Sequence, residues 1–371
     1  MNLPTIVTCF YDIRGKYQTE TNGNGNVKNK NTYFDLANEF ILKLPYPLII
    51  YTDEEELLSY IIEKRQKYLN LTKIIFIPFE TTYYYQYMNK LYDNKQKFQI
   101  LNENIHKDTV PYMILNYNKF FFIERTIELN PFLSTHFVWI DFGINHVAKN
   151  TEEIHNWITN IPDKIKQICI NPYLETQNYK QFFNIIYHHT AGGLFSGSSG
   201  NLLLYSLYFR QKVQQILNDD WYQIDETIMT IIQREHPELF TFYYGDYEGI
   251  ISNYITPKHN IDLICRMIDK SVSYLRNDIC YQILQYVIPF YKLKINQNHH
   301  FFYHFLHKHI IIDYDYNDKC LLLSIVNILN EQIINENERI IQLCRNTHDL
   351  LTRYRNIHNL LHYLPDSENL S

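Results

Sequence analysis

Residues 136–143, His-Phe-Val-Trp-Ile-Asp-Phe-Gly, join an apolar run to a carboxylate and, two residues later, a glycine. Phe, Val, Trp and Ile in succession read as a buried β-strand. A strand that stops at Asp141 and Gly143 carries one charged oxygen ligand to the C-terminal edge of a sheet. Open α/β sheets bind their ligands at that edge, and a hard divalent cation seeks oxygen there. The same eight residues also describe an ordinary strand end, with Asp141 capping the next turn. The neighbouring segments have to decide between the two.

Those segments alternate in kind. Residues 5–11, 47–51, 73–77, 166–171 and 241–244 are further β-rich runs. Between them lie helical patterns: 34–41, with Thr32 as a cap; a helix opening at Glu54, capped by Thr52 or Asp53; 110–129, with Pro131 just past its end; 202–217, capped by Ser198 or Ser199; and a helix from Asp225 to about residue 235. Strands separated by helices imply βαβ units and a largely parallel sheet covered on both faces. Residues 15–31 read as a polar loop with Asn-Gly-Asn-Gly at 22–25. Residues 192–200 hold four of the chain's ten glycines and read as a loop whose backbone bends tightly or approaches a ligand closely. That loop lacks the Gly-Lys-Ser/Thr ending of a P-loop.

From about residue 260 the alternation gives way to helical patterns, with an apolar face over 321–333 and apolar positions at helical spacing from Leu350 to Leu364. The chain of 371 residues therefore divides into residues 1–257, an α/β domain, and residues 258–371, an all-α domain. Hydrophobic residues are 46% and charged residues 20%, which excludes global disorder. A net charge of -6 argues against a nucleic-acid partner. No apolar run reaches the roughly 18 residues of a membrane span. The six cysteines form no C-x-x-C pair, and the N-terminus shows no basic, signal-like region. Both point to a reducing, cytoplasmic setting. The 33 tyrosines, with abundant Asn, Ile and Lys, suit an AT-rich genome such as a giant virus's, which would make that setting host cytoplasm or virion.

The order of short motifs is specific: residues 5–14, Tyr117-Asn-Lys119, Asn130-Pro-Phe132, Trp139-Ile-Asp-Phe-Gly143, Ala191-Gly-Gly-Leu-Phe-Ser-Gly197, Asp225-Glu226, Gly245-Asp-Tyr247 and Asn253-Tyr254. Over residues 1–257 this order resembles the WlaTC/HtrL (YibB-like) family. The resemblance implies a GT-A-like, Rossmann-type α/β/α sandwich. Its activity would be that of a glycosyltransferase moving sugar from a nucleotide diphosphate sugar, a UDP-sugar foremost, to a glycan or protein acceptor, with Mn2+ or Mg2+ bound at the strand edge.

It also implies roles. Asp141 stands where that fold carries a D-x-D metal motif, but Gly143 replaces the second carboxylate. Asp246 or His146 would then complete the metal site. Thr8, Phe10, Tyr11, Asp12 and Arg14, at the end of the first strand, would bind the nucleotide. An aromatic can stack on a base, and arginine binds phosphate bidentately; for Tyr11 core packing is the commoner role in so tyrosine-rich a chain. Lys119, and more weakly Arg65, would contact the donor. Gly192, Gly193 and Ser196 would shape the sugar pocket, with His188 and His189 structural beside it. Asp225 and Glu226 would supply the general base, although Asp225 also suits a helix N-cap. Trp221 would stack on a sugar or pack in the core. A rival of another class is a catalytically inactive GT-A-like scaffold that recruits partners through the helical domain, which could also form a homodimer.

Overall fold

The computed structural model describes residues 3–17, 29–173 and 182–260, with scattered positions between 263 and 286. The chain divides into two compact units, Met1–Met267 and Ile268–Ser371. The helical patterns at 321–333 and 350–364 and the Asn-Gly-Asn-Gly stretch lie outside the described residues.

The first unit is built on a seven-stranded mixed sheet, ordered β3-β2-β1-β4-β6-β5-β7. The strands are β1 (Thr5–Phe10), β2 (Leu48–Thr52), β3 (Thr72–Phe76), β4 (His136–Ile140), β5 (Ile165–Cys169), β6 (Thr190–Ser198) and β7 (Phe240–Tyr244). All neighbours run parallel except β6, which is antiparallel to both β4 and β5. The sequence anticipates six of these strands. The seventh, β6, is the glycine-rich stretch read as a loop, and it lies in the interior of the sheet.

Each sheet face is covered by helices, numbered in chain order. On one face, Tyr11 stacks on Phe122 of α5 (Val110–Leu129) at 5.8 Å. On the other, Phe10 meets Phe34 of α2 (Lys30–Glu39) edge-on at 5.3 Å. Successive strand residues thus serve opposite layers, as the pleat requires. The aromatic excess goes mainly into the α5 side, where Tyr51, Phe122, Trp139, Phe195 and Phe120 form a run of stacked rings. Each ring buries about 150–250 Å², so at about 25 cal/mol/Å² it contributes roughly 4–6 kcal/mol before entropy.

Helix α5 forms where its pattern places it. Thr109 precedes it in extended conformation, Pro111 sits in its first turn, and Asn130 ends it in the left-handed region at φ 33°. Asn tolerates that conformation, and its Oδ1 accepts from the Ser134 N–H at 2.8 Å. The caps elsewhere are shifted. Asn29, not Thr32, caps α2 by accepting from the Thr32 N–H. Glu54 occupies the cap position of α3 (Glu55–Lys64) without a side-chain cap, while Thr52 accepts from its N–H. Among the described residues no helix is long and apolar enough to cross a membrane.

Candidate active site

Three strand ends and three helices meet at one sheet edge. β1 runs into the short helix α1 (Ile13–Tyr17), β4 ends at Asp141, and β6 begins at this edge because it is antiparallel. The N-terminus of α8 (Asp225–Glu235) faces Gly192, and α5 crosses beneath with Lys119. They enclose a cavity of about 360 Å³, within the usual size range of ligand pockets.

Lys119 forms the floor. Its Nζ donates to the Gly192 carbonyl at 3.1 Å and to Asp225 Oδ2 at 3.2 Å, and lies 3.3 Å from Asp141 Oδ1. The ammonium thus faces oxygens from three elements, hydrogen-bonded to two and ion-paired with the third. Its side chain is only 6% exposed. Burial alone would lower its pKa, but Asp141 and Asp225 outweigh that and hold it above the ordinary lysine value. Asp141 is fixed from a second side by the Trp139 indole, whose Nε1 donates to Oδ1 at 2.7 Å.

The two acids of α8 sit in unlike surroundings. Glu226 is bonded at both oxygens: Oε1 accepts from the Gly192 N–H at 2.9 Å, and Oε2 accepts from the Tyr247 hydroxyl at 2.8 Å and pairs with His188 Nδ1. Burial would raise its pKa, but His188 and the other donors pull it below the usual glutamate value. Asp225 takes one hydrogen bond among the described residues, from Lys119. Burial pushes its pKa up against the pull of Lys119, with Glu226 and Asp141 adding to the rise. The N-cap position of α8 belongs to Ile224, so Asp225 does not cap the helix.

The glycines of β6 are there for these side chains. A Cβ on Gly192 would stand 2.7 Å from Asp225 Oδ2, and one on Gly193 would meet Asp141 Oδ2 at 3.4 Å. The first approach is too close for any other residue unless the carboxylate moves. The glycine-rich stretch is therefore a strand stripped of side chains rather than a loop.

Of the residues expected at the site, Phe10, Tyr11, Asp12, Arg14, Lys119, Asp141, Gly193, Asp225 and Glu226 line the cavity, and Gly192 packs behind the acids. Tyr11 is 4% exposed and donates to the Ile77 carbonyl, so most of its ring is core. Asp12 Oδ1 accepts from the Gly15 N–H, closing the turn of α1. That helix is held from outside by Lys16, which pairs with Asp53 at 3.0 Å and Glu54 at 2.6 Å, and by Tyr17, which bonds Glu80.

Four expectations are not met by position. Ser196 points to the opposite sheet layer, where it bonds the Tyr254 hydroxyl at 2.6 Å. Thr8 is fully buried between strands and its Oγ1 has no hydrogen-bond partner. The carboxylate of Asp246 accepts from the Gly249 N–H and from Asn260 rather than facing Asp141. Arg65 is fully buried and donates to the carbonyls of Leu42, Leu44 and Tyr46, far from any donor role. Trp221 packs on Phe98 at 4.6 Å. His146 does line the cavity, with Nδ1 bonded to the Gly143 carbonyl at 2.6 Å.

Sequence reasoning passed over Tyr112 and Lys107, read His188 as structural and gave Tyr247 no role, and all four line the cavity. Tyr247 lay inside a quoted motif. The pairing of His188 with Glu226 spans 38 residues and left no local signal.

The donor set does not suit Mn2+ or Mg2+ held by the protein alone. Such ions take oxygen ligands at about 2.0–2.6 Å and need several. Asp141 Oδ1 already receives the indole N–H and faces the Lys119 ammonium. Among the described residues no three His, Cys, Asp or Glu side chains gather as a cation site.

A family model described as "Bacterial protein of unknown function (HtrL_YibB)" matches residues 3–254. The chain belongs to the HtrL_YibB family. The family match covers the whole seven-stranded sheet and every cavity residue named above. Among solved structures, the chain is similar to the apo form of mouse xyloside xylosyltransferase 1, with 14% identity and a TM-score of 0.34 over 64% of this chain and 84% of that one. It is also similar to 4-diphosphocytidyl-2C-methyl-D-erythritol synthase from Anaerococcus prevotii, with 10% identity and a TM-score of 0.32 over 70% of this chain and 93% of that one. Likenesses this loose do not speak to the site. No curated protein matches the chain by sequence.

Proposed function

We propose that this HtrL_YibB chain is a glycosyltransferase that takes a nucleotide diphosphate sugar, with UDP as the nucleotide, and passes the sugar to a hydroxyl of a glycan or protein. The observation that carries this reading is the division of labour at the start of α8. Asp225 carries one hydrogen bond and Glu226 carries three. Asp225 therefore keeps acceptor capacity for a substrate hydroxyl, while Glu226 is saturated.

In this reaction the acceptor oxygen forms a bond to the anomeric carbon. The bond from that carbon to the phosphate oxygen breaks, and the nucleoside diphosphate leaves with the electron pair. The hydroxyl proton passes to Asp225. A base works best when its pKa lies near the working pH, and the burial that raises Asp225 moves it that way. Lys119 pulls against that rise and favours the ionised form of Asp225. Glu226, held by His188, Tyr247 and Gly192, positions the helix start and the cavity wall.

UDP should raise the melting temperature, since a ligand at a hundredfold excess over its Kd adds about 2.7 kcal/mol of stability. A panel of nucleotide sugars should then release UDP in the presence of one acceptor class. Absence of any UDP stabilisation, with and without divalent metal, sinks the reading.

A further inference from the structure

We propose that the site meets the diphosphate with its own cations, Arg14 and Lys107 above a floor neutralised by Lys119, and needs no divalent ion. The inference rests on the donor assigned above and deepens it.

On Asp141 Oδ1 the place of a divalent cation is taken by an ammonium and an indole N–H, which leaves one carboxylate oxygen there, Oδ2, for any metal. Oxygens of Gly192, Asp225 and Asp141 converge on Lys119 Nζ at 3.1–3.3 Å. A metal at bonding distance from Asp141 Oδ1 would have to expel that ammonium and compete with the Trp139 N–H on the same oxygen. The displaced ammonium, buried on α5, would lose one of its two ionic partners and keep only Asp225 and the Gly192 carbonyl, which weakens the compensation of a buried charge.

Lys119 is not itself the phosphate ligand. Asp141 and Asp225 flank it, so its positive charge is already spent against two negatives. Its effect is to reduce the repulsion a bare pair of carboxylates would exert on an anion. The unspent positive charge lies elsewhere in the same cavity. Arg14 and Lys107 both line it, and neither forms an ion pair with a described carboxylate. Arg14 lines the cavity together with Tyr33, whose ring edge lies against Gly143 beside Asp141. Lys107 lies over the ring of Tyr112 at 5.9 Å and shares the cavity lining with His188, the partner of Glu226. Arginine suits a diphosphate because its planar fork binds two oxygens at once.

The test is calorimetric titration of the full chain with UDP and with uridine, in EDTA and in Mn2+. The inference expects UDP to bind in EDTA with a Kd within about threefold of that in Mn2+, and tighter than uridine in both. Arg14→Gln, on a partly exposed side chain, should weaken UDP about tenfold or more in EDTA and leave uridine unchanged, as loss of a charged hydrogen bond predicts. Lys107→Gln should act the same way, more weakly. UDP binding that appears only with Mn2+ overturns the inference and leaves the transferase standing. Binding in neither buffer overturns both. Metal-free binding that neither substitution weakens also overturns the charge assignment. Far-UV circular dichroism confirms that each variant is folded.

Discussion

Two of the buried cations, Arg65 and Lys119, are satisfied in opposite ways. Arg65, in the corner between α3 and β3, donates to three backbone carbonyls and to Thr72, with no described carboxylate paired to it. Burial pushes its pKa down to about 10. Lys119, at the sheet edge, is held by two carboxylates, and its pKa moves up. Carbonyls cannot move a proton, so the Arg65 corner can only brace the chain. Carboxylates can, so the Lys119 corner stores ionisable groups against a cavity. A buried charge marks chemistry only when its partners are themselves titratable and exposed to a ligand.

The largest effect should come from the acid that shares Lys119. Asp225→Asn should cut turnover about 10²–10⁴-fold while UDP binding persists, read as UDP release beside a titration. Unchanged turnover would falsify its role as base. Removing the cations themselves separates the corners. Lys119→Met leaves two acids unpaired and should cost about 3–5 kcal/mol of stability, together with UDP affinity. Arg65→Met strands three carbonyls and should cost about 3 kcal/mol, with the UDP affinity of the folded fraction intact. Equal loss of UDP binding in both variants would erase the distinction drawn here.

A smaller effect concerns pH. Hydrogen bonding to Glu226 raises the His188 pKa above 6.5, and the same contact, against the cost of burial, holds Glu226 below 4.5. The His188 contribution is complete below its unfolded value and is lost as pH rises through the raised one. The Glu226 contribution is lost as pH falls through the lowered one. The pair should therefore stabilise most between these ranges, and the melting temperature should fall as pH climbs above about 6.5. In His188→Asn that alkaline slope should flatten; an unaltered slope would place its origin elsewhere. Smallest of all, Tyr247→Phe removes one of three bonds to Glu226 and should cost about 0.5–1.5 kcal/mol, seen by denaturant titration.

Most of the sheet was legible because its strands are short β-rich runs set between helical patterns. β6 was not, since glycine weakens a strand and Thr190–Ser198 holds three of them. Its strand character comes from pairing with β4 and β5 on either side, and Gly192 leaves the space that Asp225 fills. Asp141, Lys119, Asp225 and Glu226 were singled out as a set, and all four line the cavity. What the sequence could not supply was direction. Ser196 follows Phe195 directly, yet the two serve opposite layers. Nor could it show that Lys119 bridges residues 22 and 106 positions away.

Helix α1 has one more consequence. Five residues are too few to hold a helix by their own hydrogen bonds, so its outer face is moored by Lys16 to Asp53 and Glu54 and by Tyr17 to Glu80. Two of these moorings are ionic and partly open to solvent, and salt screens such pairs over roughly 10 Å at 0.1 M. Ionic strength thus becomes a dial on the wall that presents Arg14, slackening it before the sheet behind it loosens.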